Sequence, residues 1–143
     1  MRGYLLDTNV LSELRKRRPN SNVVDAVARI PEPSLYVSVI TLGELRLEIE
    51  LLARGRKRLD LERWLVSELP LRFADRVLPF DREAADRWGS IEARARRSGH
   101  KIPSVDGMLA ATALVFELAI VTRNTRDFSQ TQAPVFNPWS DTT

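Results

Sequence analysis

Four acidic side chains stand at points where an α/β chain can do chemistry: Asp7, Glu44, Asp106 and Asp127. Asp7 closes the apolar run Tyr4-Leu5-Leu6. It precedes Thr8-Asn9 and an apolar pattern at helical spacing, Val10, Leu11 and Leu14. That puts it at the carboxyl end of a strand, where open α/β sheets bind their ligands. Asp127 follows a second strand, and Glu44 and Asp106 fall in the first turns of helices. Each acid also has a purely structural reading. Asp7 or Thr8 can cap a helix, Glu44 can answer Thr41 in a capping box, and Asp106 suits a helix dipole. As a set they mean more. Two carboxylates ~6 Å apart repel by roughly 3 kcal/mol at an effective dielectric of 20, so a cluster calls for a divalent cation or a raised pKa. The chain has no cysteine, and its one histidine, His100, sits in a loop without catalytic neighbours. An all-oxygen donor set favours Mg²⁺ or Mn²⁺ over Zn²⁺.

The elements that must position these acids follow from periodicity and breakers. A first helix is expected from Asn9 to about Arg17, stopped by Pro19, and a second is capped by Ser21. Leu35–Ser38 reads as a strand. A third helix begins between Ser38 and Thr41 and carries Leu42, Leu45, Ile49 and Leu52 on its buried face. Gly43, just before Glu44, gives room for close packing or for a ligand. A fourth helix is expected over 57–69 and ends at Pro70, before a short strand over Arg76–Pro79. Asp81 caps a fifth helix with the stripe Ala84, Trp88, Ile91 and Ala95, and Pro103-Ser104 opens a sixth. Ala119–Thr122 is a strand, Arg123–Phe128 the loop after it, and Val135-Phe136 a short final strand before a polar tail. Helical crossovers between strands imply a parallel sheet covered on both faces. The fold class is α/β, a three-layer α/β/α domain over residues 1–143.

The 143 residues suffice for one domain with a real core, and 43% hydrophobic with 29% charged residues is ordinary for a soluble chain. The absence of cysteine excludes disulfides and points to a reducing cytoplasm. Asp7 interrupts the first apolar run, so neither a signal peptide nor a membrane span is read. Net charge is only +3, with a pI of 9.8. The cations come in blocks, Arg15–Arg18, Arg54–Arg58 and Arg94–Lys101, with Arg123 and Arg126 in the loop beside Asp127. Helix-end cations suit the dipole. The loop pair is better read as nucleic-acid contacts.

Four motifs then carry a resemblance over nearly the whole chain. They are Leu6-Asp7-Thr8-Asn9, Val39-Ile40-Thr41-Leu42-Gly43-Glu44-Leu45, Pro103-Ser104-Val105-Asp106-Gly107-Met108-Leu109-Ala110-Ala111-Thr112-Ala113, and Val121-Thr122-Arg123-Asn124-Thr125-Arg126-Asp127-Phe128. In that order they resemble PIN-domain proteins, specifically the VapC-type toxin ribonucleases of bacterial type II toxin–antitoxin systems. The resemblance implies that Asp7, Glu44 and Asp106 line a metal site, with Asp7 and Asp106 as direct ligands. It implies a fourth acid near Asp127. Many PIN domains carry that acid nearer the strand end, where this chain has Asn124. The role therefore falls to Asn124, through a metal-bound water, or to Asp127. Thr8, Asn9 and Thr122 would orient carboxylates or waters.

The implied activity is Mg²⁺-dependent hydrolysis of RNA phosphodiesters, with Glu44 or Asp106 accepting a proton from water. The implied partners are RNA, a cognate antitoxin docked in an apolar groove between early helices, and a second copy of the chain. Promoter DNA is met only through the antitoxin. A DNA nuclease of the same fold is the nearest alternative, and a non-catalytic nucleic-acid-binding module is the next. A haloacid-dehalogenase-type phosphatase would need a second acid where Asn9 stands, and a phosphorelay receiver would need a phospho-accepting Asp after a middle strand and a Lys after a later one.

Overall fold

A computed structural model describes residues 2–141. The central sheet has the order β3-β2-β1-β4-β5, every pair parallel. Its strands are β1 (Gly3–Leu6), β2 (Leu35–Ser38), β3 (Val77–Leu78), β4 (Leu118–Val121) and β5 (Val135–Phe136). β1 is central because its residues suit burial on both faces: Leu5 and Leu6 are fully enclosed, each contributing about 1.5–3 kcal/mol. The chain runs outward from β1 through β2 and β3, then returns to the opposite side as β4 and β5. Order therefore reverses between β1 and β4, which pair through Leu5↔Ile120 and Leu6↔Val121. Such a reversal opens a crevice beyond the strands' carboxyl ends.

Among the described residues, seven α-helices join the strands: α1 (Thr8–Arg15), α2 (Ser21–Ala28), α3 (Val39–Glu50), α4 (Arg56–Arg63), α5 (Leu69–Phe73), α6 (Arg82–Arg97) and α7 (Ser104–Val115). Side chains alternate across the strands, so each face of the sheet has its own core. Leu6, Val37 and Val121 pack with Val10, Leu11, Val23, Leu45 and Phe73 from α1, α2, α3 and α5. Leu5 and Ile120 pack with Ile91, Leu109, Ala110 and Ala113 from α6 and α7. The three-layer α/β/α expectation is borne out.

Two glycines mark close approaches. A Cβ on Gly3 would meet the Ser34 carbonyl at 2.6 Å, and one on Gly107 would meet the Trp88 indole at 3.1 Å. Gly43 has nothing within 4 Å of its would-be Cβ, so close packing is not its role.

Several local expectations shift. The first helix begins at Thr8 with Asp7 as its cap, and the second is capped by Asn20, whose side chain accepts from Asn22 and Val23 N–H. Pro70 does not end its helix. A π-helical turn, Trp64–Glu68, links α4 to α5, with the Leu69 N–H donating to the Trp64 carbonyl. The wider turn spares the proline ring the clash with a carbonyl four residues back, and its missing N–H falls at the second position of α5. The capping box at Thr41 is also absent. Ser38 caps α3 instead, its Oγ accepting from Ile40 N–H at 3.0 Å. Thr41 is buried inside the helix, and Glu44 is free to turn elsewhere.

Candidate functional site

Asp7 leaves β1 at the crevice and is 5% exposed. Its Oδ1 accepts the Thr8 N–H at 2.8 Å, and its Oδ2 accepts the Thr122 hydroxyl at 2.8 Å and the Asn9 amide at 3.3 Å. Capping and site placement are thus the same geometry, seen from two sides. Thr122, just past β4, ties the two strand ends together: its Oγ1 also accepts the Asn124 N–H at 3.0 Å and the Asn9 amide at 3.2 Å. Asn9 in turn accepts the Arg123 N–H at 3.1 Å. Burial raises the Asp7 carboxyl above its usual range. The bonds from Thr122, Thr8 and Asn9 pull it back, and the charge of Asp127 adds to the rise.

Glu44 reaches the same crevice from α3, where its Oε1 accepts the Thr8 hydroxyl at 2.7 Å. Burial raises its pKa against that bond, with further repulsion from Asp7 and Glu48. Asp106 comes from the first turn of α7 and has no hydrogen-bond donor among the described residues. Burial, then the charges of Asp7, Asp127 and Glu44, push it up to about 7. A carboxyl so raised and so poorly supported is a mark of a functional site.

These residues line a cleft of about 430 Å³ together with Thr8, Asn9, Arg123 and Asn124. Thr122 lies beneath it, fully buried. Asp127 and Arg126 do not line it. Both are exposed on the short turn Thr125–Phe128, and Asp127 acts on the site through its charge. The sequence reading missed five lining residues: Ser12, Glu13, Lys16, Glu48 and Trp139. Glu48 was foreshadowed by its place one turn after Glu44. Glu13 has a structural role: it accepts from Lys16 Nζ and from Asn20 N–H, both at 2.9 Å, bracing the start of α2 against α1. Those bonds hold its pKa below the usual range. Trp139 stands in the tail after β5 and carried no signal in sequence.

Among the described residues, no three Asp, Glu or His side chains converge closely enough to hold an ion by themselves. The donor set nevertheless fits Mg²⁺ chemically. It is all oxygen, and the carboxylates are close enough to raise one another. Mg²⁺ commonly takes only one or two carboxylates and keeps several waters.

Comparison with known proteins follows the same lines. The PIN domain family profile matches residues 4–134. This chain belongs to the PIN domain family. The PIN-domain chain is 44% identical to toxin FitB of Neisseria gonorrhoeae over 138 residues, 96% of this chain and 99% of that one. It is 36% identical to the VapC ribonuclease Y4jK of Sinorhizobium fredii, covering 94% and 96%. The structure of FitAB bound to an IR36 DNA fragment contains a chain that superposes with a TM-score of 0.90 at 36% identity, covering 98% of each. The PIN-domain chain thus closely resembles VapC- and FitB-type toxins of type II toxin–antitoxin systems.

Proposed function

We propose that this chain, acting as a single PIN domain over residues 1–143, is the toxin of a type II toxin–antitoxin system: a metal-dependent endoribonuclease held in check by a cognate antitoxin. The observation that carries the reading is Asp106, raised to about 7 in a cleft it shares with Asp7 and Glu44. The ribonuclease name of the Sinorhizobium relative supports RNA as the polymer.

Asp7 and Asp106, with Glu44 close by, would hold Mg²⁺ or Mn²⁺. The ion, when bound, polarises the phosphate and lowers the pKa of a water. The remaining work belongs to the chain. Thr122, Thr8 and Asn9 fix the Asp7 carboxylate by three bonds, and Thr8 aims Glu44. Glu44 or Asp106 would accept the proton from the attacking water. Asn124 supplies the fourth position at the cleft, and Asp127 tunes it by charge. Arg123 and Arg126 hold the RNA backbone.

For the antitoxin, an apolar groove of about 310 Å³ opens beside the cleft. Leu45, Ile49, Leu52, Leu61 and Trp64 line it, and it meets the cleft at Lys16 and Glu48. A helix or extended segment laid there would reach the acids. The FitAB complex on DNA supports such a partner, and DNA contact through it. For a homodimer, Leu47 of α3 and Leu51 just after it offer apolar surface, 60% and 77% exposed.

The test is cleavage of single-stranded RNA and DNA side by side, with Mg²⁺, with chelator, and with Asp106→Asn. RNA cleavage that stops under both treatments is expected. Cleavage surviving either rejects the metal mechanism, and preference for DNA selects the alternative substrate. Purified chain that binds RNA, cuts nothing, and binds unchanged in the variant would be the non-catalytic module.

A further inference from the structure

The ends of β4 and β5 deliver two groups that the hydrolytic reading does not use together, Arg123 and Trp139. The strands are neighbours, with Val121 paired to Phe136 and the Thr122 N–H bonded to the Phe136 carbonyl at 3.0 Å. Arg123 is the second residue past β4 and Trp139 the third past β5, so both project from the same rim. The Trp139 indole packs on the core cluster of Leu6, Val10 and Val121. The Arg123 guanidinium lies over that ring, 5.2 Å from its centre. Both side chains line the cleft that holds Asp7, Glu44 and Asp106.

Neither group is loosely held. Arg123 is fixed at its backbone by Asn9, the residue that also donates to Asp7. Trp139 is fixed at both backbone ends: its N–H donates to Asn137 Oδ1 at 2.9 Å, and its carbonyl accepts from the Asn22 amide at 3.3 Å. Asn137 and Asp141 close the turn around it. Arg123 forms no ion pair among the described residues. The nearby acid Glu13 feels its charge but is engaged by Lys16 and Asn20. A cation is therefore held 5.2 Å from the centre of an aromatic ring at the edge of the cleft, with no carboxylate bonded to it among the described residues.

We infer that Trp139 and Arg123 form a nucleobase shelf, on which an unpaired base flanking the scissile phosphate stacks against the open face of the guanidinium. Single-stranded RNA is recognised by stacking of splayed bases on aromatic rings or arginine planes, and the arrangement brings one of each together at the cleft. Arg123 touches the base. Trp139 is a positioning residue that keeps the guanidinium flat. Arg15 also lies over a ring, 5.9 Å from the centre of Trp64, but that pair lines the apolar groove and not the cleft that holds the acids. The shelf rests on the RNA reading of the cleft and supplies the base contact that reading needs.

The experiment measures affinity rather than cleavage, so that the two readings fail separately. Full-length Asp106→Asn protein is titrated with short single-stranded RNAs in which one nucleotide at a time is abasic. One position should cost about 10-fold in affinity, the lower-middle of the stacking range. Adding Trp139→Leu or Arg123→Lys should shrink that cost below about 2-fold, whereas Trp139→Phe should keep most of it. Arg123→Lys retains the charge, so the salt dependence of binding should stay as it was. An absence of any sensitive position overturns the shelf, as does a full abasic penalty in Arg123→Lys. The lysine variant keeps Trp139 and its backbone anchors, and decides the matter even where Trp139→Leu fails to fold. Base-sensitive binding by a protein whose wild type cuts no RNA would keep the shelf and reject the nuclease. Cleavage by the wild type with base-indifferent binding would do the reverse.

Discussion

The two walls of the cleft are built on opposite principles. At the β1–β4 seam, Asp7 is enclosed, and its oxygens take three bonds from Thr8, Asn9 and Thr122. On the wall made by α7, Asp106 is half-buried and takes none, its charge opposed by three neighbouring acids. The first wall serves the fold and the chemistry together. The second serves the chemistry at the fold's expense. Strain of this kind persists only where the surrounding structure is firm enough to hold it, and the satisfied seam is what makes the exposed conflict at Asp106 tolerable.

Substitutions can separate the two walls. Asp106→Asn should lower RNA cleavage by about 10²–10⁴-fold. The thermal midpoint of the metal-free protein at pH 7.5 should stay level or rise, since a repelled charge is removed. A clear fall in that midpoint would mean that Asp106 supports the fold after all. Thr122→Val is the converse case. It should lower cleavage by about 10–100-fold and cost about 1–3 kcal/mol of stability, because it leaves a buried Asp7 oxygen and the Asn124 N–H without their partner. Chemical denaturation measures that loss. Unchanged stability would remove the contrast between the walls.

A pH series sharpens it further. The folded-state pKa of Asp106 lies above its ordinary value of 3.8, at about 7. The folded chain therefore holds this proton more tightly than the unfolded one. The resulting stability is complete below about pH 4 and is lost as pH rises through 7. The metal-free wild type, measured against Asp106→Asn, should lose about 1–2 kcal/mol across that window, after allowance for solvent around a half-exposed group. Added Mg²⁺ should restore more of the midpoint at pH 8 than at pH 5. The smallest effect belongs to Asp127→Asn. Removing its charge should move the acid limb of the cleavage–pH profile to lower pH by a fraction of a unit, with a rate change of only about 2-fold, in keeping with an exposed charge. A loss as large as that of Asp106→Asn would make Asp127 a direct participant.

Much of the seam was legible in the sequence because its logic is local. A strand, an acid and a helix start follow within eleven residues around Asp7, and Ala119–Thr122 repeats the strand end near Arg123 and Asn124. The α/β/α layering was legible for the same reason, since period-2 and period-3.6 patterns report which faces are buried. Glu44 was found, but with the wrong local partner in view. The Thr41–Glu44 spacing imitates a capping box, and only the structure shows that Ser38 already caps the helix three residues earlier. Pro70 misled because a proline normally breaks a helix, and a single π turn is enough to absorb it. Trp139 was out of reach. Its partner Asn22 lies 117 residues away in the chain, and hydrophobic patterns carry no information about such distances.

The bond from Thr122 to Asp7 joins residues 115 positions apart. β1 and β4 are paired neighbours in the sheet although most of the described residues lie between them. Until the two meet, the first acid has neither its fixed orientation nor its companions on α7. The site is therefore assembled from elements far apart in the chain, and its first acid is held in place only once both strands are joined.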